Sequence, residues 1–445
     1  MFEVLRHPVF ARLFAAQVVA LAGTGLLTVA LGLLAYDLAG AQAGAVLGTV
    51  FAIKMVAYVG LAPLANAIAE RWPRKRLLIG ADLVRGSVAL VLPFVDQIWQ
   101  IYLLIFVLQA ASASFTPAFQ ATIPDVLSDE RDYTRALSLS RLSYDLENLL
   151  SPALAGLLLL LISYHWLFVG TVLGFAGSAL LVWVTALPER ATDAAQRSFA
   201  ERVTRGIRIY LATPRLRGLL ALNLAAASAG AFVLVNTVVM VRAGYSAGDA
   251  QVAMALAAFG AGSMISALAL PRLLESVDDR MVMIPSAMLL AALTLGHSAY
   301  LGLEGRMAWG AFVAVWLLSG LFYSAILTPS GRLLRISAHA QDRPAVFTAQ
   351  FTLSHACWLI TYPVAGWAGG AFGLAPAMAI LGAMALFGAL VALAVWPAGE
   401  AAELEHAHPE LPPGHPHLRA HPADGARHRH VFVIDDEHRA WPTHG

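Results

Sequence analysis

The amino-acid sequence predicts an all-α integral membrane protein of twelve transmembrane helices, arranged as two six-helix bundles and followed by a disordered, His-rich C-terminal tail. Three observations lead to this prediction: an apolar composition, loops that alternate in positive charge, and a repeat between the two halves. Of the 445 residues, 59% are apolar and 13% are charged, whereas soluble domains have about 45–50% apolar and about 25% charged residues. The composition therefore excludes a soluble globular domain.

Transmembrane helices are expected wherever an apolar run reaches about 20 residues, the length that crosses a bilayer. Such runs occur at residues 13–36, 43–69, 77–95, 98–119, 136–162, 165–187, 218–241, 250–274, 281–303, 307–328, 345–370 and 374–396. The first run is longer than the apolar core of a signal peptide, so we expect it to be retained.

Arginine and lysine are concentrated in every second loop. Twenty of them lie at the N-terminus, in these alternate loops and in the central segment, whereas the intervening loops hold only Arg242 and Arg306. Because Lys and Arg are enriched in cytoplasmic loops, this asymmetry predicts that both termini are cytoplasmic.

The two halves repeat a series of residues at an offset of 212. Thr116-Pro117 closes the fourth span as Thr328-Pro329 closes the tenth, and Glu130-Arg131 corresponds to Asp342-Arg343. Two halves in the same orientation form a parallel repeat about an axis along the membrane normal. We therefore divide the chain into an N-terminal bundle (1–187), a cytoplasmic linker (188–217), a C-terminal bundle (218–397) and a His-rich cytoplasmic tail (398–445).

The loop Asn66–Arg76, with Asp82 and Arg85 after it, resembles the signature loop of the major facilitator superfamily, although Asn66 replaces its usual glycine and Glu70 its aspartate. The runs Thr328–Arg335 and Ser354–Pro363, together with the His-rich tail, resemble the nickel-resistance efflux branch near the drug and siderophore exporters. The resemblance implies a monomeric carrier of the bacterial inner membrane that needs no cofactor and exports nickel in exchange for protons.

Charged side chains inside predicted spans are candidates for a transport path, because a charge in the bilayer is costly unless it faces a cavity or a partner. Glu147 lies near the middle of the fifth span, where a carboxylate can exchange a proton for a cation. The alternative is a structural pair between Glu147 and Lys54 of the second span. Asp145 has a local partner, Arg141, four residues before it in the helix.

The eleventh span carries a second set of candidates. Gln350 and Cys357 share one stripe of the helix, and His355 lies on a neighbouring stripe. Because about 200° separates His355 from Cys357 on a regular helix, we do not expect them to bind one ion together. Imidazole suits nickel, whereas thiolate suits softer ions. The alternative for His355 is a hydrogen-bonded packing residue, and His297 of the ninth span is expected to be peripheral.

A cytoplasmic gate is predicted at the ends of the second and third spans, where residues of both signs meet. Its candidate residues are Glu70, Arg74, Arg76, Asp82 and Arg85. The alternative for the loop arginines is ordinary positive-inside topology. Asp82 and Arg85 lie within the third span, so topology alone does not explain them.

The tail contains nine of the fourteen histidines. They are His406, His408, His415, His417, His421, His428, His430, His438 and His444. Imidazoles at this density can chelate nickel, cobalt, zinc or copper. Since no core-forming run is evident, the tail is expected to be disordered without metal. It is either a collector or sensor of metal or a solvated segment of biased composition.

Three functions remain open at this stage. The first is a proton-coupled exporter of divalent metal, chiefly nickel, and the second is an exporter of a drug or siderophore. The third is a membrane metal receptor that transports nothing. Glu147 and the repeat favour a carrier, and the tail and His355 favour metal. No nucleotide-binding or hydrolase motif occurs, so neither an ATP-driven pump nor an enzyme is expected, and the net charge of +1 gives no sign of nucleic-acid binding.

Overall fold

The computed structural model describes residues 2–61, 73–127, 154–187, 199–339, 342–399, 403–407, 423–424 and 427–435, together with 132, 136, 139, 140, 143, 437, 438 and 440–442. In the N-terminal part, the helices are α1 (Pro8–Ala39), α2 (Ala43–Val56), α3 (Arg74–Val91), α4 (Ile98–Val126) and α5 (His165–Val184). The linker contains α6 (Phe199–Ala212).

The C-terminal part begins with α7 (Pro214–Val239), α8 (Asp249–Leu273), α9 (Asp279–Leu303) and α10 (Trp309–Leu327). It continues with α11 (Ser330–Ile336), α12 (Arg343–Pro363), α13 (Gly369–Phe372) and α14 (Leu374–Val395). Turns of π-helix extend α2, α7 and α12, at Ala57–Leu61, Met240–Gly244 and Val364–Ala368.

The predicted all-α membrane fold is confirmed. Among the described residues, nine helical segments are long and apolar enough to cross a bilayer, and the first of them contains both α1 and α2. Together with α12, these segments match every predicted span except the fifth, in whole or in part. The fifth span lies largely outside the described residues, of which 154–159 are helical.

The helices pack as two groups joined by the linker. In the N-terminal half, α1 lies against α5, and α3 packs on both α4 and α5. In the C-terminal half, α7 is buried along almost its whole length and packs against α12 and α14. Because short loops connect antiparallel neighbours, successive helices alternate between two ends of the molecule. We call the end where α1 begins and α14 ends the terminal end, and the other the opposite end.

Among the described residues, the two halves approach closely through glycines of α2 and of the turn that follows α12. A Cβ atom on Gly366 would lie 2.3 Å from the carbonyl oxygen of Gly44, and one on Gly48 would lie 2.7 Å from that of Tyr362. Beside them, Trp367 Nε1 donates to Thr49 Oγ1 over 3.1 Å. Glycine is therefore required here to let two helix backbones approach, and this contact lies toward the opposite end.

The apolar core follows the same division. One buried cluster runs from α1 and α2 through α7, α12 and α14, so it joins both halves. A second cluster, which includes Phe10, Leu78 and Phe119, fills the terminal end of the N-terminal half and is separate from the first.

The tail is not disordered throughout, contrary to the prediction. Its described residues form three strands, β1 (Glu403–Ala407), β2 (Ala423–Asp424) and β3 (Arg427–Val431), in an antiparallel sheet of order β1-β3-β2. Leu404, Phe432 and Ile434 are buried in the core cluster that joins both halves. The apolar run at residues 431–434 is too short to span a membrane but long enough for a strand and its docking contact.

We expect Gly48→Ala to destabilise the contact between the halves, because overpacking costs typically about 1–3 kcal/mol. Gly60→Ala in the same predicted span is the matched control, since a Cβ atom there meets no described atom within 4 Å. The melting temperature of the purified protein in detergent should fall for Gly48→Ala and stay unchanged for Gly60→Ala. Equal melting temperatures would show that the glycine contact is dispensable.

Candidate functional site

Midway between the two ends, α2 and α12 face each other across the boundary between the halves. The ring of Tyr58 meets the ring of His355 edge-on, with centroids 5.6 Å apart, and that of Phe351 at 6.1 Å. On the same side, Lys54 Nζ lies 5.7 Å from the centre of the Tyr58 ring. The structure therefore brings Lys54 and His355, two predicted path residues, to one tyrosine that sequence analysis overlooked.

The orientation of His355 is fixed by its own helix. Its Nδ1 atom lies 2.6 Å from the carbonyl oxygen of Phe351, and the two ring planes are tilted by 32° with centroids 3.9 Å apart. Because a carbonyl only accepts, the imidazole donates from Nδ1, and in the neutral ring the lone pair is then on Nε2. Hydrogen bonds of this kind orient histidines that bind metals. This bond therefore fixes both the tautomer of the neutral ring and its orientation.

Aromatic rings extend the wall of this site toward the opposite end. Phe51 of α2 and Tyr362 of α12 have ring centroids 4.8 Å apart, and Trp358 lies 4.9 Å from Tyr362. Tyr323 of α10 continues the series at 6.4 Å from Trp358. Such rings pack well on organic molecules, and their faces attract cations.

Gln350 and Cys357 lie on a different side of α12. Gln350 is buried and accepts a hydrogen bond from the hydroxyl of Tyr210 in the linker helix α6. Cys357 is also buried, and it lies on the same stripe of α12 as Gln350, seven residues further along. These two predicted path residues therefore face the linker helix, whereas His355 faces α2.

Asp82 and Arg85 form an ion pair inside the N-terminal half, with exposed fractions of 1% and 5%. Ser178 of α5 donates to Asp82 over 2.7 Å. The Arg85 guanidinium lies between two rings, 4.3 Å from Phe115 and 4.6 Å from Phe175. The pair thus ties α3 to α4 and α5, which gives it a structural role that the sequence did not indicate.

Of the other predicted gate and path residues, the structure describes two arginines and leaves three acidic residues outside its described part. Arg74 and Arg76 lie in the first turn of α3 at the terminal end, where the neighbouring Lys75 donates to the Thr185 carbonyl over 2.9 Å. Glu70, Asp145 and Glu147 lie outside the described residues.

A polar cluster at the opposite end was not predicted. Tyr164 donates to Asp37 over 2.5 Å, and Arg242 pairs with Asp249. The Arg242 guanidinium lies 5.9 Å from the ring of Tyr36, which links the C-terminal half to the N-terminal half. Burial of the hydroxyl raises the pKa of Tyr164 above its ordinary value, and the hydrogen bond to Asp37 and the charge of that carboxylate raise it further. The sequence offered one indication of this cluster, because Arg242 is one of only two arginines in the opposite-end loops.

His297 is buried inside the C-terminal half, which corrects the expectation that it is peripheral. Its ring lies 5.6 Å from Trp316 and 6.0 Å from Phe312, and it lines a small cavity with Thr294 and Ser319. Although α9 lies to one side of α7, this side chain points inward.

Four tail histidines fall on described backbone. His406 and His428 occupy directly opposed positions of β1 and β3, His430 follows in β3, and His438 is buried. His408, His415, His417, His421 and His444 lie outside the described residues. Among the side chains that the structure describes, no group of three or more His, Cys, Asp or Glu is placed to hold a metal ion.

If Asp82 and Arg85 hold the N-terminal half together, Asp82→Asn should lower the melting temperature, because breaking a buried pair costs about 3–5 kcal/mol. Ser178→Ala removes one hydrogen bond to the same carboxylate and should cost about 1 kcal/mol. Thermal unfolding in detergent measures both. An unchanged melting temperature with lost transport would instead assign the pair to a gate.

Comparison with known proteins places the chain among membrane carriers. The sequence profile of the Major Facilitator Superfamily matches residues 13–312. An uncharacterized MFS-type transporter of Bacillus subtilis, YfiS, is 23% identical over 297 residues, which cover 65% of this chain and 70% of the relative. Macrolide efflux protein A of Enterococcus faecalis is 24% identical over 281 residues, covering 61% of this chain and 85% of the relative.

Solved structures agree on the fold. The nucleoside transporter NupG superposes with a TM-score of 0.64 at 14% identity, covering 88% of this chain and 100% of that one. An inward-facing bacterial homologue of the lysosomal transporter Spinster gives 0.64 at 13% identity, covering 88% and 96%. At this identity the likeness concerns the fold alone.

Proposed function

The chain belongs to the Major Facilitator Superfamily, and from that premise we propose that it exports a divalent metal ion, most readily nickel, in exchange for protons. Its family consists of multi-pass secondary transporters, and its relatives include efflux proteins. We propose the metal substrate and the proton coupling in addition to this family assignment.

The orientation of His355 is the observation that supports a metal substrate best. Its Nδ1–H is bonded to a backbone carbonyl, which leaves the lone pair on Nε2, and the ring lies where α2 and α12 face each other. Neutral imidazole is a good nickel ligand. A ligand at the boundary between the halves changes its surroundings when the halves move, as alternating access requires.

The positive charge of Lys54 sets a condition on this proposal. An ammonium group beside Tyr58 repels a divalent cation, so an acidic group is needed on the same path. We propose that Glu147 supplies this negative charge and carries the coupled proton. It would be protonated when metal is released and ionised when metal binds, so that charge is exchanged and not accumulated.

The contacts between the halves favour a state of the transport cycle that is closed toward the opposite end. Described contacts run from Tyr58–His355 in the middle to Gly48–Gly366 and Thr49–Trp367 toward the opposite end. If the arginine-rich terminal end is cytoplasmic, the closed contacts lie on the far side of the membrane. Metal would then enter from the cytoplasm, and the glycine contact would have to open for release.

An organic substrate is the second candidate, and the aromatic wall favours it. Phe51, Trp358 and Tyr362 offer ring faces across the boundary between the halves. Lys54 would attract an anionic or polar group of such a molecule. Relatives from Streptococcus pyogenes and Enterococcus faecalis carry the name macrolide efflux protein A.

We expect proteoliposomes that contain the purified protein to show counterflow of radioactive nickel, accelerated by a pH gradient. Unlabelled nickel or cobalt should compete, because imidazole ligands bind both ions. Empty liposomes are the control. If nickel does not move but a macrolide or dye does, the organic candidate replaces the metal.

His355→Ala should raise the nickel concentration for half-maximal counterflow by on the order of tenfold or more, since loss of ligand support weakens metal sites by that amount. Cys357→Ala is the matched control on the same helix, because Cys357 faces the linker helix. Transport assays with equal amounts of reconstituted protein decide whether His355 is a metal ligand or a packing residue. Normal transport by His355→Ala would make this histidine a packing residue.

A further inference from the structure

The linker helix α6 packs against α12 along one face. The residues of this face include Gly206, Ile209 and Tyr210, which are buried and are spaced as one side of a helix requires. Gly206 lets the two backbones approach, since a Cβ atom there would lie 2.0 Å from the carbonyl oxygen of Ala345. Helix α6 is therefore a packed part of the C-terminal half and not only a connection between the halves.

Two polar contacts join α6 to α12 on either side of this close approach. Arg205 Nε and Nη2 donate to the two carboxylate oxygens of Asp342, over 2.6 and 2.9 Å. Eight residues further along α12, Gln350 accepts a hydrogen bond from the hydroxyl of Tyr210. Burial raises the pKa of Tyr210 well above its ordinary value, so the hydroxyl keeps its proton and donates. The exposed fractions of Tyr210 and Gln350 are only 0% and 4%, so solvent does not compete for this bond.

Both contacts lie on the side of α12 that is turned away from His355. An α-helix turns by about 100° per residue. Asp342 precedes His355 by thirteen residues and Gln350 precedes it by five, so each lies about 140° from His355, in opposite senses. The middle of the face that α6 holds is therefore opposite to this histidine, whose ring meets Tyr58 of α2.

We infer that Tyr210 is a positioning residue for His355, because its hydroxyl fixes the rotation of α12 about the helix axis. The inference deepens the proposed function and rests on it only for the role of His355 as a metal ligand. Side-chain tips lie about 5–6 Å from a helix axis, so a rotation of about 20° moves the imidazole by about 2 Å. Metal–ligand distances tolerate only about 0.2 Å. The same rotation would also part the His355 ring from the ring of Tyr58.

The Tyr210 contact is nearer to His355 than the Arg205 contact is. Gln350 is five residues from His355, or about 7.5 Å along the axis, whereas Asp342 caps the start of α12, about 20 Å away. The residues between Gln350 and His355 are α-helical, so a rotation at Gln350 also rotates the histidine. Arg205 therefore fixes where α12 begins, and Tyr210 fixes its rotation close to the site.

The reactivity of a thiol at position 355 tests the inference without any substrate. Cys357 is the only cysteine of the chain, so the full-length double variant His355→Cys, Cys357→Ala carries a single thiol at that position. Its rate of alkylation by a charged maleimide in detergent reports how far position 355 opens onto the boundary between the halves. We expect Tyr210→Phe, which keeps the ring and removes the hydroxyl, to change this rate by about threefold or more, since one hydrogen bond corresponds to about two- to tenfold in an equilibrium.

The matched control is Ser337→Ala, which removes a hydrogen bond that Arg215 donates over 2.8 Å at the same end of the half. The alkylation rate should stay unchanged in this control. Gln350→Met removes the acceptor of the Tyr210 bond from the side of α12 and should reproduce the change, so it decides the matter if Tyr210→Phe does not fold. An unchanged rate in the variants that lack the bond would overturn the inference, as would an equal change in the control.

Nickel counterflow with His355 and Cys357 intact distinguishes this inference from the proposed function. Tyr210→Phe should raise the nickel concentration for half-maximal counterflow severalfold and leave the maximal rate unchanged, because the ligand is misplaced while the halves still move. An unaltered half-maximal concentration would overturn the inference and leave the exporter standing. A changed thiol reactivity in a protein that moves no nickel would support the positioning of α12 by Tyr210 and overturn the exporter.

Discussion

The close approach of α2 to α12 sets the geometry of the candidate site around Tyr58 and His355. At Gly48 and Gly366 the two backbones are so close that a single methyl group would collide with a main-chain atom. This contact positions Tyr58 against His355 and Phe51 against Tyr362. A larger residue at the contact would separate the rings, and a path lined from both halves would lose one wall.

Buried charge in the described residues is satisfied mainly within a half. Asp82 and Arg85 are joined to Ser178 and to two rings of the N-terminal half, and Arg332 pairs with Asp279 over 3.0 Å in the C-terminal half. The described contacts between the halves include glycine packing, ring contacts, the bond from Trp367 to Thr49 and the approach of the Arg242 guanidinium to Tyr36. This arrangement suits a carrier, because ion pairs that keep each half rigid stay intact while weaker contacts exchange during transport.

The sequence predicted the spans well because the bilayer leaves little choice, since each segment must be apolar and must satisfy its own backbone. It predicted the neighbours of individual side chains less well. Helical periodicity separated His355 from Cys357 but could not tell which stripe faces α2 and which faces the linker helix. The tail was predicted from its histidines and prolines, and the short run at 431–434 was overlooked because strands of this length have a weak signal. The inward position of His297 depends on helix rotation, which periodicity does not fix.

The start of α12 is where the linker, the tail and the path meet. Arg205 of the linker helix binds both oxygens of Asp342, over 2.6 and 2.9 Å, and His339 joins the same turn to Asp435 of the tail. His355 follows Arg343 by twelve residues, or about 18 Å along the helix axis at about 1.5 Å per residue. A solute that enters at the terminal end would therefore have to pass along most of the terminal half of α12 before it reached His355. That passage requires α2 and α12 to be apart at the terminal end while they are in contact at the opposite end. The glycine contact and the separate core at the terminal end of the N-terminal half are both consistent with this requirement. The turn that begins α12 is thus held by both the linker helix and the tail, at the end of the molecule where α2 and α12 would have to part.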